Sequence, residues 1–219
     1  MKHALLFVGL LVAAPASAAP TATPTTTAAQ FSIGPATLIM PVIAGYCPPE
    51  GDLATGLAMV NAADPVNDTP VSLVACRPGV PPMSEYYLIK SVKDFKAAEL
   101  SRPVLLAGLG PAFKQLDTKA LFEKAKEAMK DGLGGSITIG EGSISPSGQD
   151  DVCGYLLGTM TVQSAGGASK LVAAICITTV KHKIISINRY ESADAKRTPL
   201  ALLADVRAIA ERMIATNEH

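Results

Sequence analysis

The sequence predicts an α+β domain: an antiparallel β-meander with helices packed on it. Three observations carry this. Four segments between residues 136 and 190 alternate with period two and are joined by short turns. Such neighbours must be antiparallel, because a parallel pair needs a long crossover. Two segments, 118–131 and 199–216, repeat apolar residues at helical spacing and can cover one face of that sheet. Hydrophobic residues make up 48% of the 219 positions, which is too many for a disordered chain.

The chain opens MKHALLFVGLLVAAPASAAP. Lys2 and His3 form a short basic start, Ala4 to Ala14 an apolar run, and Ala16-Ser17-Ala18 a small-residue cleavage site. This is the layout of a secretory signal peptide over residues 1–18. The apolar run is too short to span a bilayer, so a cleaved leader is expected rather than a permanent anchor. Cleavage removes Lys2, so 18 basic residues stand against 19 acidic ones and the net charge is −1. A near-neutral chain has no field to gather nucleic acid, and no such partner is expected. No later apolar run reaches transmembrane length, so no transmembrane anchor is expected after cleavage. The expected location is periplasmic or secreted. Asn67-Asp68-Thr69 fits the N-glycosylation pattern, which matters only in a eukaryotic secretory route.

Residues 19–30 (APTATPTTTAAQ) hold neither charge nor a large apolar side chain and read as a disordered tether. A single domain is expected over 31–219. Phe31 to Val42 gives one or two short strands, and GYCPPEGD after it a loop. Leu53, Leu57 and Val60 recur at helical spacing over 52–63, ended by Asp64-Pro65. Val71 to Ala75 is a strand running into Cys76, and Tyr86 to Lys90 another. Ser91 and Asp94 form a capping-box variant, which predicts a helix entering Phe95 and Leu100. Pro103 to Phe113 (PVLLAGLGPAF) carries two prolines and reads as a buried strand and loop. An exposed contact loop is the alternative.

The segment 118–131 is the clearest helix. Asp117 or Thr118 caps it, Leu121, Ala125, Ala128 and Met129 make its apolar stripe, and Gly132 stops it. Lys119 and Glu123 are spaced to pair on its other side. The meander follows as 136–145, 152–163, 170–180 and 183–190. Leu171 to Ile177 is apolar enough for a strand buried on both faces. Thr198 and Pro199 open the closing helix, whose stripe is Leu202, Leu203, Val206, Ile209, Met213 and Ile214.

Four cysteines, Cys47, Cys76, Cys153 and Cys176, survive leader removal. An even count in an exported chain favours disulfides. Three connectivities are open; Cys47–Cys76 with Cys153–Cys176 is preferred, since each pair brackets one compact unit. Each closed loop is worth about 3 to 4 kcal/mol in the chain-entropy model. A hairpin centred on 165–168 would set Cys153 opposite Val180, so the second pair needs a bulge or a different turn centre. Two unpaired buried thiols are the alternative there. No CxxC or zinc spacing supports redox catalysis or metal binding.

Catalytic chemistry finds little to use. Of the histidines only His182 lies inside the domain, between Lys181 and Lys183, where a solvated turn residue is expected. That removes the triad schemes that need a positioned histidine. The HExxH, Walker A, GxSxG and SxxK patterns do not occur. The glycines at 108–110 and 132–135 lack the strand–loop–helix order of a phosphate loop. Glu141, Asp150 and Asp151 lie in a Ser/Gly/Pro-rich stretch that reads as a solvated turn. Tyr46, Tyr86, Tyr87 and Tyr155 read as core or rim packing, with a small-molecule groove as the alternative. No catalytic, cofactor-binding or metal residue is expected, and no cofactor.

Gly45-Tyr46-Cys47 after an early strand, Val74-Ala75-Cys76 closing a short strand, and ICITTVKHKIISINRY before a last helix make a recognisable order. The chain resembles a group of uncharacterised exported bacterial proteins that carry a GYC motif. It is similar in layout, over about residues 31–217, to the PsbP-like α/β/α sandwich. That resemblance implies an accessory or assembly role and brings no catalytic residues with it.

The expected function is therefore a non-enzymatic exported accessory protein that binds a protein or envelope partner. A binder of a small apolar ligand, with PVLLAGLGPAF as a wall or lid, is the first alternative. A hydrolase that gathers Asp150 or Asp151 with Ser143, Ser145 or Ser147 in one cleft is the second.

Overall fold

The largest element is a seven-stranded sheet in the order β3-β4-β5-β9-β8-β7-β6, in which every neighbouring pair is antiparallel. The computed structural model describes residues 28–132, 137–164, 167–193 and 197–218. The expected leader and most of the expected tether lie outside the described residues. The strands are β1 (Ala29–Ile33), β2 (Ala36–Met40), β3 (Tyr46–Cys47), β4 (Asn67–Ala75), β5 (Glu85–Val92), β6 (Ile137–Gln149), β7 (Gly154–Ser164), β8 (Gly167–Val180) and β9 (Lys183–Ser192). The helices are α1 (Gly51–Ala62), α2 (Arg102–Gln115), α3 (Thr118–Gly132) and α4 (Leu203–Asn217). β1 and β2 form a hairpin of their own, and β1 starts at Ala29, two residues inside the expected tether.

The α+β class and the meander agree with the sequence. β6 to β9 pair in chain order, and β8 lies between β7 and β9 with Leu171 to Ala174 all buried. Lys181 and His182 join β8 to β9 in a two-residue turn, with φ of 47° and 63°. That is the left-handed geometry that follows the natural twist of a hairpin.

Helices meet both faces of the sheet. On one face Leu73, Tyr87, Ala174, Cys176, Ile185 and Ile187 join a core with Val206, Ile209 and Met213 of α4. The β1–β2 hairpin adds Phe31, Ile33, Leu38 and Met40 to the same core. Asn217 at the end of α4 pins that hairpin. Its amide accepts from Ile39 N and donates to Ile39 O, both at 2.8 Å, and so satisfies one residue of an open strand edge.

The opposite face is reached at glycines. A Cβ on Gly154 would lie 2.6 Å from Leu109 of α2, and one on Gly142 would lie 2.6 Å from the ring of Phe122 of α3. Close approach of helix to sheet therefore requires glycine at both positions. α1 joins this side through Asn61, whose amide donates to Ser72 Oγ at 3.3 Å.

Four expectations are corrected. Residues 103–113 form most of α2, not a strand and loop. Pro103 sits in the first turn, where a missing N–H costs nothing. Leu105, Leu106, Leu109 and Phe113 recur at helical spacing on the side that turns inward, and Leu105 and Leu106 are buried. Pro111 is carried inside the helix, against its cost in one hydrogen bond.

Ser91 is a buried strand residue rather than a helix cap, and Lys93–Phe95 is one 3-10 turn. Lys93 N donates to Val66 O, which continues the pairing with the β4 side. A further turn, closed by Ala98 N donating to Phe95 O at 3.0 Å, follows before Leu100 N reaches His182 O at 2.8 Å.

In α3 the capping by Asp117 holds, through a 2.9 Å bond from Ala120 N. The buried side, however, is marked by Phe122, while Ala125 is exposed. Glu123 pairs with Lys126 at 3.0 Å. The side chains of Leu121, Ala128 and Met129 lie outside the described set.

The β7–β8 ladder runs unbroken from Gly154↔Ile177 to Ser164↔Gly167. Its turn centre is one residue nearer the N-terminus than expected. Cys176 therefore stands opposite Tyr155, and a different turn centre, not a bulge, lets Cys153 reach it.

Candidate functional site: the GYC motif and a buried charge network

Strand alternation sets Glu85 and Tyr87 of β5 on the same face as Arg189 and Glu191 of β9, with Glu85 opposite Glu191 and Tyr87 opposite Arg189. Glu85, Arg189 and Glu191 are all buried, Arg189 to 3% exposure. A buried charge is tolerated when it is paired and hydrogen-bonded. Arg189 Nη2 lies 2.9 Å from Glu85 Oε2 and 2.9 Å from Glu191 Oε2. Its Nη1 donates to the hydroxyl of Tyr46, which in turn donates to Glu85 Oε2. Its Nε faces Asp205 of α4 at 3.2 Å, an ion pair without hydrogen-bond geometry.

Two further arginines close the charge balance. Arg77 donates to Glu85 Oε1. Arg197 bridges Glu191 at 3.3 Å and Asp205 at 3.0 Å. Three guanidinium groups thus face three carboxylates. The Arg189 guanidinium also lies over two rings, 5.3 Å from the Tyr46 centroid and 4.8 Å from that of Tyr87, which pack edge to face. Burial opposes the charge on Arg189, but Tyr87, Tyr46 and Asp205 outweigh it and raise its pKa. Burial likewise pushes the Tyr87 hydroxyl up, against the pull of Arg189. Arg189 therefore stays a cation and Tyr87 stays neutral throughout the physiological range.

Each residue of the GYC motif has a physical task here. Gly45 has φ of +80°, and the space a Cβ would fill is taken by the Arg77 side chain, 2.6 Å away. Its carbonyl accepts from Cys76 N at 2.9 Å. Tyr46 carries the hydroxyl that joins Arg189 to Glu85. Cys47 is bonded to Cys76. β3 is only two residues long, so this covalent tie and the Tyr46 hydroxyl do what a longer ladder would otherwise do.

Both disulfides agree with the preferred pairing, Cys47–Cys76 and Cys153–Cys176. Cys153 and Cys176 are completely buried. The two aspartates near them part company. Asp150 is an ordered turn carboxylate rather than a solvated one. Its Oδ1 accepts from Val152 N and Cys153 N at 2.8 Å, and its Oδ2 from Tyr155 OH at 2.7 Å and Arg207 Nε at 2.8 Å. Burial would raise its pKa, but these bonds win and hold it at about 2. Asp151 is exposed, 3.4 Å from Arg207.

The other sequence candidates are scattered. Ser143 and Ser145 line a shallow depression with Thr159 and Leu200, away from the carboxylate of Asp150. Glu141 is exposed on β6. His182 lies in the exposed β8–β9 turn, beside a second depression with Arg102 and Glu218. Tyr86 stacks on Tyr190 on the opposite face of the sheet from Tyr46 and Tyr87, so the four tyrosines do not line one groove. No group of three or more metal-ligating side chains is placed to hold an ion among the described residues.

Arg189, Glu85, Glu191 and Asp205 are not among the candidates that the sequence motifs single out. The signal was present in KIISINRYES. Ile185 and Ile187 set an inward face, and the next two positions on that face are Arg189 and Glu191. Opposite charges at i and i+2 on an apolar strand face point to a buried pair.

No protein-family model, no curated protein and no solved structure matches the chain.

Proposed function

We propose that this chain is an exported accessory protein that works by binding a protein partner, and that the outer side of α2 is its contact surface. The observation that carries the reading is the character of that helix. Pro103, Val104, Ala107, Gly108, Pro111 and Ala112 all face solvent, and no charged residue interrupts the helix between Arg102 and Lys114. A surface helix normally turns charged and polar residues outward, and one that is apolar all round is normally covered. Val104 is 58% exposed. Small residues along the same side let another element approach the helix backbone closely.

Export to the periplasm or the medium is supported by the leader pattern over residues 1–18 and by two disulfides, which persist in oxidising compartments. No described helix is long and apolar enough to cross a membrane. The reading includes the likeness to the PsbP-like α/β/α sandwich, whose members serve mostly as accessory or assembly factors. Helices on both faces of one antiparallel sheet support that layout. The absence of catalysis follows from the same reading, because the most organised polar cluster, around Arg189, is spent on its own members.

A photo-crosslinking residue at Val104, compared with one at Lys124 on α3, tests the surface. A discrete adduct in envelope extract from position 104 alone is expected, and it should disappear in Gly108→Glu. Equal labelling from both positions, or none, would reject the reading.

A further inference from the structure

The two disulfides differ in a way that gives one of them chemistry. Cys153 and Cys176 are each 0% exposed and belong to the main core with Met213 and Val206. Cys47 is half-buried and Cys76 exposed, at the two-residue edge strand β3. The residues that follow Cys76, Arg77 to Gly79, are exposed as well, as is Pro48 after Cys47. Thiol–disulfide exchange requires a thiolate to reach a sulfur, so access decides which bond reacts. We infer that Cys47–Cys76 is a site of thiol–disulfide exchange that takes a dithiol reductant, while Cys153–Cys176 is closed to it.

A thiolate of the dithiol attacks Sγ of Cys76, the more exposed residue of the pair. The Cys47–Cys76 bond breaks, and Cys47 leaves as a thiolate and takes up a proton. The mixed disulfide between Cys76 and the reductant is then attacked by the reductant's second thiolate. Cys76 is released and protonated, and the reductant becomes a disulfide. Two electrons and two protons pass to the protein.

The consequence follows from the neighbours. Tyr46 and Cys47 are the whole of β3, which pairs with β4 through Tyr46↔Ala75 and Cys47↔Val74. Once Cys47 is free, the segment keeps two ladder positions and the Tyr46 hydroxyl bonds to Glu85 and Arg189. The redox state of this pair is thereby coupled to the seating of Tyr46, and the outer edge of β4 is the surface that its release would open.

The test uses the native full chain, graded dithiothreitol, timed alkylation and peptide mass mapping, with tyrosine near-UV circular dichroism recorded in parallel. Cys47 and Cys76 should be alkylated at least about tenfold faster than Cys153 and Cys176, with a change in the tyrosine signal. In guanidinium the two pairs should react within about threefold of each other, which identifies the native difference as one of access. Equal native rates, faster labelling of Cys153 and Cys176, or no labelling below the unfolding transition would overturn the proposal.

Discussion

Arg189 Nη2 lies 2.9 Å from Glu85 Oε2, so that one buried cation on β9 joins a buried carboxylate on its neighbouring strand. Through Tyr46, Glu191 and Asp205 the same guanidinium reaches β3, its own strand and α4. The network ties together four elements that the chain brings in from residues 46, 85, 189 and 205. Its worth is clearest when one member is removed.

Arg189→Ala leaves Glu85 and Glu191 buried beside each other with their shared cation gone. Breaking a buried charge network in this way costs about 3–5 kcal/mol. Urea unfolding should show that loss, and a change under about 1 kcal/mol would mean that the network is not what holds β5 to β9. Tyr46→Phe is the milder variant. It removes one hydroxyl that both accepts and donates, and should cost about 1–3 kcal/mol with the fold retained.

Asp150 gives a pH dependence whose sign is set by its depressed pKa. The carboxyl titrates at about 2 in the folded chain and at about 3.9 when unfolded. Its stabilisation is complete above about pH 4 and is lost as pH falls through about 2, because the unfolded chain binds the proton first. With about a third of the side chain exposed, solvent screening reduces the effect to about 1–2 kcal/mol. Asp150→Asn should therefore be less stable than the parent at pH 6 and approach it near pH 2. A constant difference across that range would show that the charge is not responsible.

The parts that the sequence made legible are those governed by one period or one local rule. The meander was visible because β6 to β9 alternate and are joined by tight turns. The cap at Asp117 was visible because capping is local, as was the cap at Thr198, although it opens a 3-10 turn over Pro199–Leu202 that leads into α4 rather than α4 itself. α2 was not, because two prolines and two glycines mask a helical spacing that tertiary contact with β6, β7 and β8 supports. The charge network was the least legible. Glu85, Arg189 and Asp205 are far apart in the chain, and their meeting depends on the β5–β9 register, which no local pattern states. Tyr46 stands out as part of a motif, but its partner Arg189 lies 143 residues away.

Gly154 tests the packing of α2 on the sheet. An added Cβ would meet Leu109 at 2.6 Å and the Phe113 ring at 3.2 Å. Gly154→Ala must push α2 outward or force both side chains off their rotamers, at a cost of about 1–3 kcal/mol. Amide hydrogen exchange in 102–115 should quicken more than in α4. Equal quickening in both helices would show global destabilisation rather than local displacement of α2.

Gly45 separates backbone strain from crowding within the GYC motif. Gly45 and Gly51 both have positive φ, +80° and +55°. A methyl group at either position is strained for the same conformational reason, worth about 1–2 kcal/mol. Only at Gly45 would it also strike a neighbour, since Arg77 lies 2.6 Å away while Gly51 has nothing within 4 Å. Displacing Arg77 removes its bond to Glu85 Oε1 and leaves that buried carboxylate with less positive charge around it. Gly45→Ala should thus cost more than Gly51→Ala, by roughly a further 1–3 kcal/mol. Adding Arg77→Ala should shrink the excess, because the side chain that clashes is then gone. An excess that survives in the double variant would place its cause in the backbone of the loop and not in the contact with Arg77.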